Sequence, residues 1–159
     1  MRRLFSRASA LGRQLGPVLY QLPESFRCDL DRLDAFLRAL PRSWSNTRLR
    51  HVMEFRHPSW YAAETFALLN RRGVALCLHD KLSSSIAGPF VGPFVYVRFH
   101  GTSGRYSGGY ADDELRDWAR RLAEQARAGR RVFAYFNNDP EAVAVRNALT
   151  LRTALLRLV

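Results

Sequence analysis

Five short apolar runs recur along the chain, and polar or turn-forming residues follow each of them. The runs cover residues 17–20 (extended through Gln21), 51–55, 74–78, 94–99 and 131–136. Their short length and their content of valine, tyrosine, phenylalanine and leucine are typical of buried strands. The pattern therefore predicts five strands with helices or loops between them.

Apolar residues at helical spacing separate most of these runs. The first predicted helix covers residues 29–40, with leucines along one face, Asp29 as its N-cap and Pro41 at its end. Further helices are predicted over 59–72, over 112–128 and from residue 139 onward, with Ser59 and Asp139 as N-caps and Gly73 and Gly129 as C-terminal stops. Residues 79–93 are rich in serine, glycine and proline, which predicts a loop.

Strand–helix alternation with buried strands favours a parallel sheet built from right-handed βαβ units. An open doubly wound sheet and a piece of a closed barrel both satisfy this pattern. The turn after the first strand, Gln21-Leu22-Pro23-Glu24, lacks the G-x-G-x-x-G of a dinucleotide-binding fold. That fold is therefore disfavoured, and no other motif identifies a cofactor, so the cofactor stays unknown.

Polar side chains occupy the carboxyl ends of several predicted strands, although buried strands should be apolar. Because side chains alternate between the two faces of a strand, Glu54 and Arg56 share one face, and so do Arg98 and His100. The first and last strands end in the same manner, with Gln21 in one case and with Asn137 and Asn138 in the other.

These charges predict a site at the mouth of a barrel. A charge facing the helix layer would be buried and unpaired at a large cost, so we expect Glu54, Arg56, Arg98 and His100 to face inward. Active sites of barrel enzymes lie at this end. Two arginines suit a bidentate hold on a carboxylate or phosphate, and Glu54 and His100 are candidate general acid/base groups. The alternative is a buried Glu54–Arg98 ion pair with no catalytic role.

The glycine-rich loop over residues 100–110 is a second candidate element of the site. Its glycines, Gly101 among them, permit close approach of the backbone to a ligand. Arg105 is a candidate residue for contact with a bound anion. A mobile lid without a fixed ligand is the alternative. Asp139, as an N-cap, argues against a phosphate at the final helix.

The pair His79-Asp80, at the end of the third strand, is more typical of a loop cap than of a ligand or acid/base couple. Glu54, His79, Asp80 and His100 have no spacing that demands a metal, so no metal site is predicted.

The charge balance is strongly basic. There are 25 lysines and arginines against 14 aspartates and glutamates, a formal net charge of +11, and Lys81 is the only lysine. Such an excess can mark nucleic-acid binding, but the arginines are spread along the chain, which favours solvated faces over a binding stripe. No apolar stretch is long enough to span a membrane. Cys28 and Cys77 lack any ligand spacing and predict reduced thiols in a cytoplasmic protein.

The first 16 residues are basic, and Leu4, Ala8, Leu11 and Leu15 recur at helical spacing. We interpret residues 1–16 as the tail of a helix that precedes the first strand, and residues 1–159 as a single domain.

The segments GPVLYQLPESF, HVMEFRHPSW, GVALCLHD, YVRFHG with RYSGGY, and VFAYFNND followed by AVRNA are similar to those of the YecE-like family, domain of unknown function 72. The resemblance implies the C-terminal part of a TIM (β/α)8 barrel, with five βα units that correspond to strands 4 to 8. It implies no reaction. It implies candidate site residues at Gln21, Glu54, Arg56, His57, Arg98, His100, Gly101, Asn137 and Asn138.

Three hypotheses follow for the function. The first is an enzyme-like barrel in which Arg56 and Arg98 bind a small anionic or polar metabolite while Glu54 and His100 move protons. The second is a basic nucleic-acid-binding module. The third is an inactive, truncated remnant of a longer protein. A barrel without its first three strands has two open sheet edges, so we also expect self-association through those edges.

Overall fold

The computed structural model describes residues 2–81, 88–103 and 106–159, except the side chains of Arg2 and Arg13. Five parallel strands form the central sheet, and a short antiparallel hairpin stands apart from it. In chain order the strands are β1 (Val18–Gln21), the hairpin strands β2 (Ser43–Trp44) and β3 (Thr47–Arg48), β4 (His51–Glu54), β5 (Ala75–His79), β6 (Val95–Phe99) and β7 (Val132–Phe136). The order in the sheet is β1-β4-β5-β6-β7. The five predicted strands are therefore confirmed.

Helices follow β1, β4, β6 and β7 in the chain and cover one side of the sheet. The helices are α1 (Arg2–Ala8), α2 (Leu30–Arg38), α3 (Ala63–Arg72), α4 (Asp112–Arg127) and α5 (Val143–Leu156), with 3-10 turns at Ser9–Gln14, Pro58–Trp60 and Pro140–Ala142. Every neighbouring pair of strands in this sheet is parallel, so the carboxyl-terminal ends of all five strands lie at the same end of the sheet. In the described parts of the chain, no helix is long and apolar enough to cross a membrane.

Two apolar clusters show that the sheet has two different faces. Met53, Phe55, Val97 and Phe99 pack with the helices in the larger cluster. The alternate residues, including Val52, Cys77 and Tyr96, form a smaller cluster on the other face. The sheet thus curls into a half-barrel whose helices lie outside, and the two-residue period of each strand decides which side chains face the interior.

The helix boundaries confirm two of the predicted end signals. The Asp29 carboxylate accepts a hydrogen bond from the backbone N–H of Arg32 at 2.9 Å and caps α2. Gly73 follows α3 with φ of +67°, a left-handed conformation that an L side chain disfavours. The predictions at Asp29 and Gly73 are confirmed because an N-cap and a glycine stop both depend only on local backbone geometry.

Two predicted N-caps are wrong. Ser59 lies inside the 3-10 turn Pro58–Trp60, whose cap is the imidazole of His57, and α3 begins only after Ala62. Asp139 makes no side-chain cap hydrogen bond, since its backbone is helical (φ −68°, ψ −29°) where an N-cap is normally extended. Asp139 therefore does not occupy the first amides of α5.

The amino-terminal helix also differs from the predicted pattern. Leu4 and Leu11 are 50% and 57% exposed, while Phe5 is fully buried against Trp44 and His51. The α-helix ends at Ala8, and the 3-10 turn that follows is kinked at Gly12, where φ is +51°. The predicted apolar stripe is broken because its members lie on two differently oriented turns.

Candidate functional site

A buried ion-pair cluster lies at the carboxyl ends of β4 and β6. Glu54, the last residue of β4, is fully buried, and its Oε2 lies 2.7 Å from Nη1 of Arg98. Its Oε1 contacts Nη2 of Arg56, two residues further along the same face. The Arg56 side chain is only 4% exposed and that of Arg98 only 16%. The structure therefore brings together three of the four side chains that the strand pattern predicted to face inward, Glu54, Arg56 and Arg98.

Amide side chains from the outer strands complete this cluster. The Gln21 Oε1 lies 3.4 Å from both Arg56 Nη2 and Arg98 Nη1, and the Nε of Arg98 donates to Asn137 Oδ1 at 3.2 Å. Strand register explains the convergence, since Gln21 is paired with Glu54 across β1 and β4. We call Gln21, Glu54, Arg56, Arg98 and Asn137 the arginine cluster.

The arginine cluster carries an excess of positive charge. Two guanidinium groups share a single carboxylate, and Nε and Nη1 of Arg56 are buried without a hydrogen-bond partner in the described part of the chain. A buried N–H that donates to nothing costs roughly 1–3 kcal/mol, and more on a charged group. The Arg56 guanidinium therefore keeps two buried donors that the contacts of the described residues leave unused.

Glu54 is held in its ionised form. Burial by itself would raise the pKa of Glu54, but the hydrogen bond and charge of Arg98, with the charge of Arg56, outweigh burial and lower it. A carboxylate with a lowered pKa has no proton to donate near neutral pH and is a weak base. The geometry thus favours a role for Glu54 in positioning the two arginines over a role as general acid.

A second hydrogen-bonded group links Asp80, His100 and Tyr110. Asp80 Oδ1 accepts from the backbone N–H of His100 at 2.7 Å and lies 3.0 Å from the His100 Nδ1, while the Tyr110 hydroxyl donates to Asp80 Oδ2. The backbone N–H of Gly101 donates in turn to the Tyr110 oxygen at 2.7 Å. These bonds lower the pKa of Asp80 against the opposing effect of burial.

The Asp80 carboxylate orients the imidazole of His100. A carboxylate that accepts at Nδ1 fixes the proton on that nitrogen and leaves Nε2 as the acceptor. His100 is fully buried, and among the described residues its Nε2 has no hydrogen-bond partner. In this tautomer the Nε2 of His100 is a buried acceptor that no protein group among the described residues engages.

His79 lies between the two groups. Its ring meets that of His100 edge-on at 6.0 Å between centroids, and its Nε2 lies 2.8 Å from the carbonyl oxygen of Phe55. Burial lowers the pKa of His79 to about 4, although the Phe55 carbonyl and the charge of Glu54 oppose the shift. His79 is thus neutral near pH 7 and donates its Nε2 proton to the Phe55 carbonyl.

The other predicted site residues lie outside the arginine cluster. The His57 Nδ1 accepts from the Ser59 backbone N–H at 3.1 Å and so serves the adjacent turn. Gly101 has φ of +92°, and a Cβ there would lie 2.1 Å from the Ser107 carbonyl oxygen, so its small size serves loop packing. Asn138 is buried and donates to Gly108 and Asn147. Arg105 lies outside the described residues.

Sequence reasoning missed the partners that orient the imidazole of His100. The sequence pattern places Tyr110 in the glycine-rich loop over residues 100–110 and gives it no further role. It predicts that Asp80, with His79, caps a loop. Asp80 does accept a hydrogen bond from the backbone N–H of His100, the residue that follows β6. The same carboxylate orients the imidazole ring of His100. The 30-residue separation of Asp80 and Tyr110 left no local signal for their contact.

Across residues 2–81, 88–103 and 106–159, no three histidine, cysteine, aspartate or glutamate side chains are grouped in a way that could hold a metal ion. Glu54 is engaged by two arginines, while Asp80 and His100 bond to each other. Cys28 and Cys77 are both free thiols, and Cys77 is buried in the interior cluster.

Solved structures of similar fold include a DUF72 family protein from Thermotoga maritima MSB8. It superposes with a TM-score of 0.79 at 24% identity, over 98% of this chain and 64% of the other. Two structures of a DUF72 family protein from Enterococcus faecalis V583 superpose with TM-scores of 0.69 and 0.70 at 20% identity, over 91% of this chain. The chain thus spans less than two thirds of the length of each of these structures.

Sequence comparison gives the same assignment. No curated protein is significantly similar to the chain. The family model described as "Protein of unknown function DUF72" matches residues 1–158, a wider range than the motifs quoted above cover. The resemblance to the YecE-like family is thereby confirmed, because the two names denote the same family. The chain belongs to the DUF72, or YecE-like, family of proteins of unknown function.

Proposed function

We propose that the arginine cluster binds a small anionic metabolite through a carboxylate or phosphate group. The observation that carries the proposal is the buried guanidinium of Arg56, whose Nε and Nη1 have no partner among the described residues. Planar guanidinium donors match the oxygens of carboxylate and phosphate in a bidentate arrangement. A bound anion would satisfy those donors and balance the second arginine.

His100 is the group in this site that can accept a proton. It follows Arg98 by two residues, so the two side chains leave β6 toward the same face. Its Nδ1 is committed to Asp80, which leaves Nε2 to take a proton from a substrate bound by the arginines. In this proposal Arg56 and Arg98 bind, Glu54 holds them in place, and His100 is the catalytic base.

Thermal unfolding of the whole chain with a panel of phosphorylated and carboxylated metabolites tests anion binding. We expect the melting temperature to rise with one class of anion, since a ligand at about 100 times its Kd stabilises by about 2.7 kcal/mol. Arg56→Lys keeps the charge but loses the planar fork, so the rise should shrink strongly. Arg116→Gln, at an exposed position on α4, should keep it. A panel without any stabilising anion, or an undiminished rise in Arg56→Lys, would refute the proposal.

We further propose that the five strands of the sheet correspond to strands 4 to 8 of a (β/α)8 barrel. The half-barrel curl, the helices on the outer side and the polar carboxyl ends support this assignment. On this view β1 and β7 are the two edges of the sheet. Tyr135, on β7, is 40% exposed although it stacks on Tyr96 at 4.9 Å.

Open edges predict self-association of the chain. Unpaired strand edges beside exposed aromatic rings favour pairing with a second copy. Light scattering coupled to size-exclusion chromatography should therefore show dimers or larger species at micromolar concentration. A monodisperse monomer that melts cooperatively would argue against open edges.

A further inference from the structure

In α2, α3 and α4 acidic residues lie in the first helical turn and arginines lie in the last. In a parallel βα arrangement the helices begin near the carboxyl ends of the strands and end near their amino ends. The first helical turns carry acids: Asp31 in α2, Glu64 in α3, and Asp112, Asp113 and Glu114 in α4. The last turns carry arginines instead: Arg38 in α2, Arg71 and Arg72 in α3, and Arg127 in α4. These helix-end arginines, which look dispersed along the sequence, therefore lie near the amino-terminal ends of the strands.

Three arginines face one cavity at that end. Arg48, Arg50 and Arg131 line a cavity of about 430 Å³ together with Asn46 and Thr47 of the β2–β3 hairpin. Burial, followed by the charges of Arg131 and Arg48, lowers the pKa of Arg50. No carboxylate lines this cavity among the described residues. The cavity therefore gathers three positive charges, and Arg50 also donates to the Leu15 carbonyl oxygen at 3.2 Å.

A second cavity continues the same surface. It has a volume of about 380 Å³, shares Arg48 with the first, and adds Arg38, Arg42, Arg71 and Arg72. Asp34 pairs with Arg72 at 2.6 Å and with Arg38 at 3.5 Å, so two of these charges are partly neutralised.

We call the arginines of both cavities the basic face. Five of them form no ion pair in the described chain: Arg42, Arg48, Arg50, Arg71 and Arg131.

Helix stabilisation accounts for only part of the basic face. Cations in a last helical turn interact favourably with the helix dipole, which explains Arg38, Arg71 and Arg72. Arg48 and Arg50 lie on and after the hairpin, outside any helix, and Arg131 directly precedes β7. Like charges at such positions repel one another and destabilise the fold, so an external anion that offsets them is favoured.

We propose that the basic face binds the phosphate backbone of a nucleic acid. Its arginines are spread over two connected cavities, whereas a single small anion would fill one of them. Arg42, Arg48, Arg71 and Arg131 are exposed, as backbone-contacting residues are, and guanidinium groups bind phosphate oxygens in a bidentate manner. This surface lies at the opposite end of the strands from the arginine cluster, so its activity is separate from metabolite binding.

Fluorescence anisotropy with labelled single-stranded RNA, single-stranded DNA and duplex DNA tests this proposal. We expect at least one probe to bind, with an affinity that falls steeply between about 50 and 200 mM salt because each neutralised phosphate releases a counterion. In the double variant Arg48→Gln/Arg131→Gln the slope of log K against log salt should become shallower by roughly 1 to 2, with a loss of affinity of roughly tenfold.

A matched double variant controls for net charge. Arg116→Gln/Arg146→Gln removes the same two charges from exposed positions near the starts of α4 and α5, and it should bind almost as the parent chain does. Circular dichroism melts establish that both variants fold. Absence of binding to every oligonucleotide, an equal loss in both double variants, or binding to anionic lipid vesicles or inorganic phosphate alone would overturn the proposal.

Discussion

Replacement of Glu54 by glutamine is expected to destabilise the fold by about 3–5 kcal/mol. The substitution keeps the shape of the side chain but leaves the guanidinium groups of Arg56 and Arg98 inside the half-barrel without a counter-charge. Loss of one partner of a buried pair is costly because the other charge stays desolvated. Urea denaturation followed by circular dichroism measures the change.

Glu24→Gln is the control for this substitution. Glu24 is exposed in the loop after β1 and forms no ion pair in the described chain, so its replacement should change stability by less than about 0.5 kcal/mol. If Glu54→Gln is as stable as the parent chain, the two arginines do not depend on Glu54 for their placement, and the geometry of the arginine cluster is wrong.

A second large effect is expected on the acid side of neutrality. His79 is fully buried, and its pKa falls from about 6.5 in the unfolded chain to about 4 in the folded protein. A folded-state pKa below the unfolded value means that the unfolded chain binds the proton more tightly. The stability contributed by neutral His79 is therefore fully present above pH 6.5 and is lost as the pH falls toward 4. At about 1.4 kcal/mol per pH unit the loss reaches roughly 3 kcal/mol.

The variant His79→Gln isolates this effect. A glutamine N–H can still donate to the Phe55 carbonyl, while the titrating group is gone. His51 also has a lowered pKa, caused first by burial, so the parent and the variant both lose stability in this range. The difference between their unfolding free energies at pH 6.5 and pH 4.5 reports His79 alone. Parallel stability curves for the two proteins would show that His79 does not resist protonation.

The strands and their polar ends were predictable because both follow from short-range rules. Alternation along β4 placed Glu54 and Arg56 on one face, and parallel pairing brought Gln21 beside Glu54. The Glu54–Arg98 contact required only that β4, β5 and β6 be neighbours, as sequential βα units are. The buried ion pair that sequence reasoning kept as an alternative is present, and Arg56 adds the excess charge that a simple pair would lack.

The remaining features depend on how distant loops meet. The Asp80–Tyr110 bond joins two loops, and the cap of the turn at Pro58 comes from a side chain, His57, that also looked like a ligand-binding residue. The basic face could not be predicted from the sequence for a related reason. Arg48, Arg50 and Arg131 are more than 80 residues apart at the extremes, yet the amino-terminal ends of β4 and β7 bring them to one cavity.

The arginine cluster is tested most directly by the side-chain N–H resonance of Arg56 in nuclear magnetic resonance spectra of the ¹⁵N-labelled chain. Addition of the anion that stabilises the protein should shift the Arg56 Nε–H resonance in a saturable way, because that donor gains an oxygen partner. The exposed Arg116 should stay unchanged and serves as the internal reference. A stabilising anion that leaves Arg56 unshifted would show that the anion binds elsewhere and that the cluster is a structural ion-pair network.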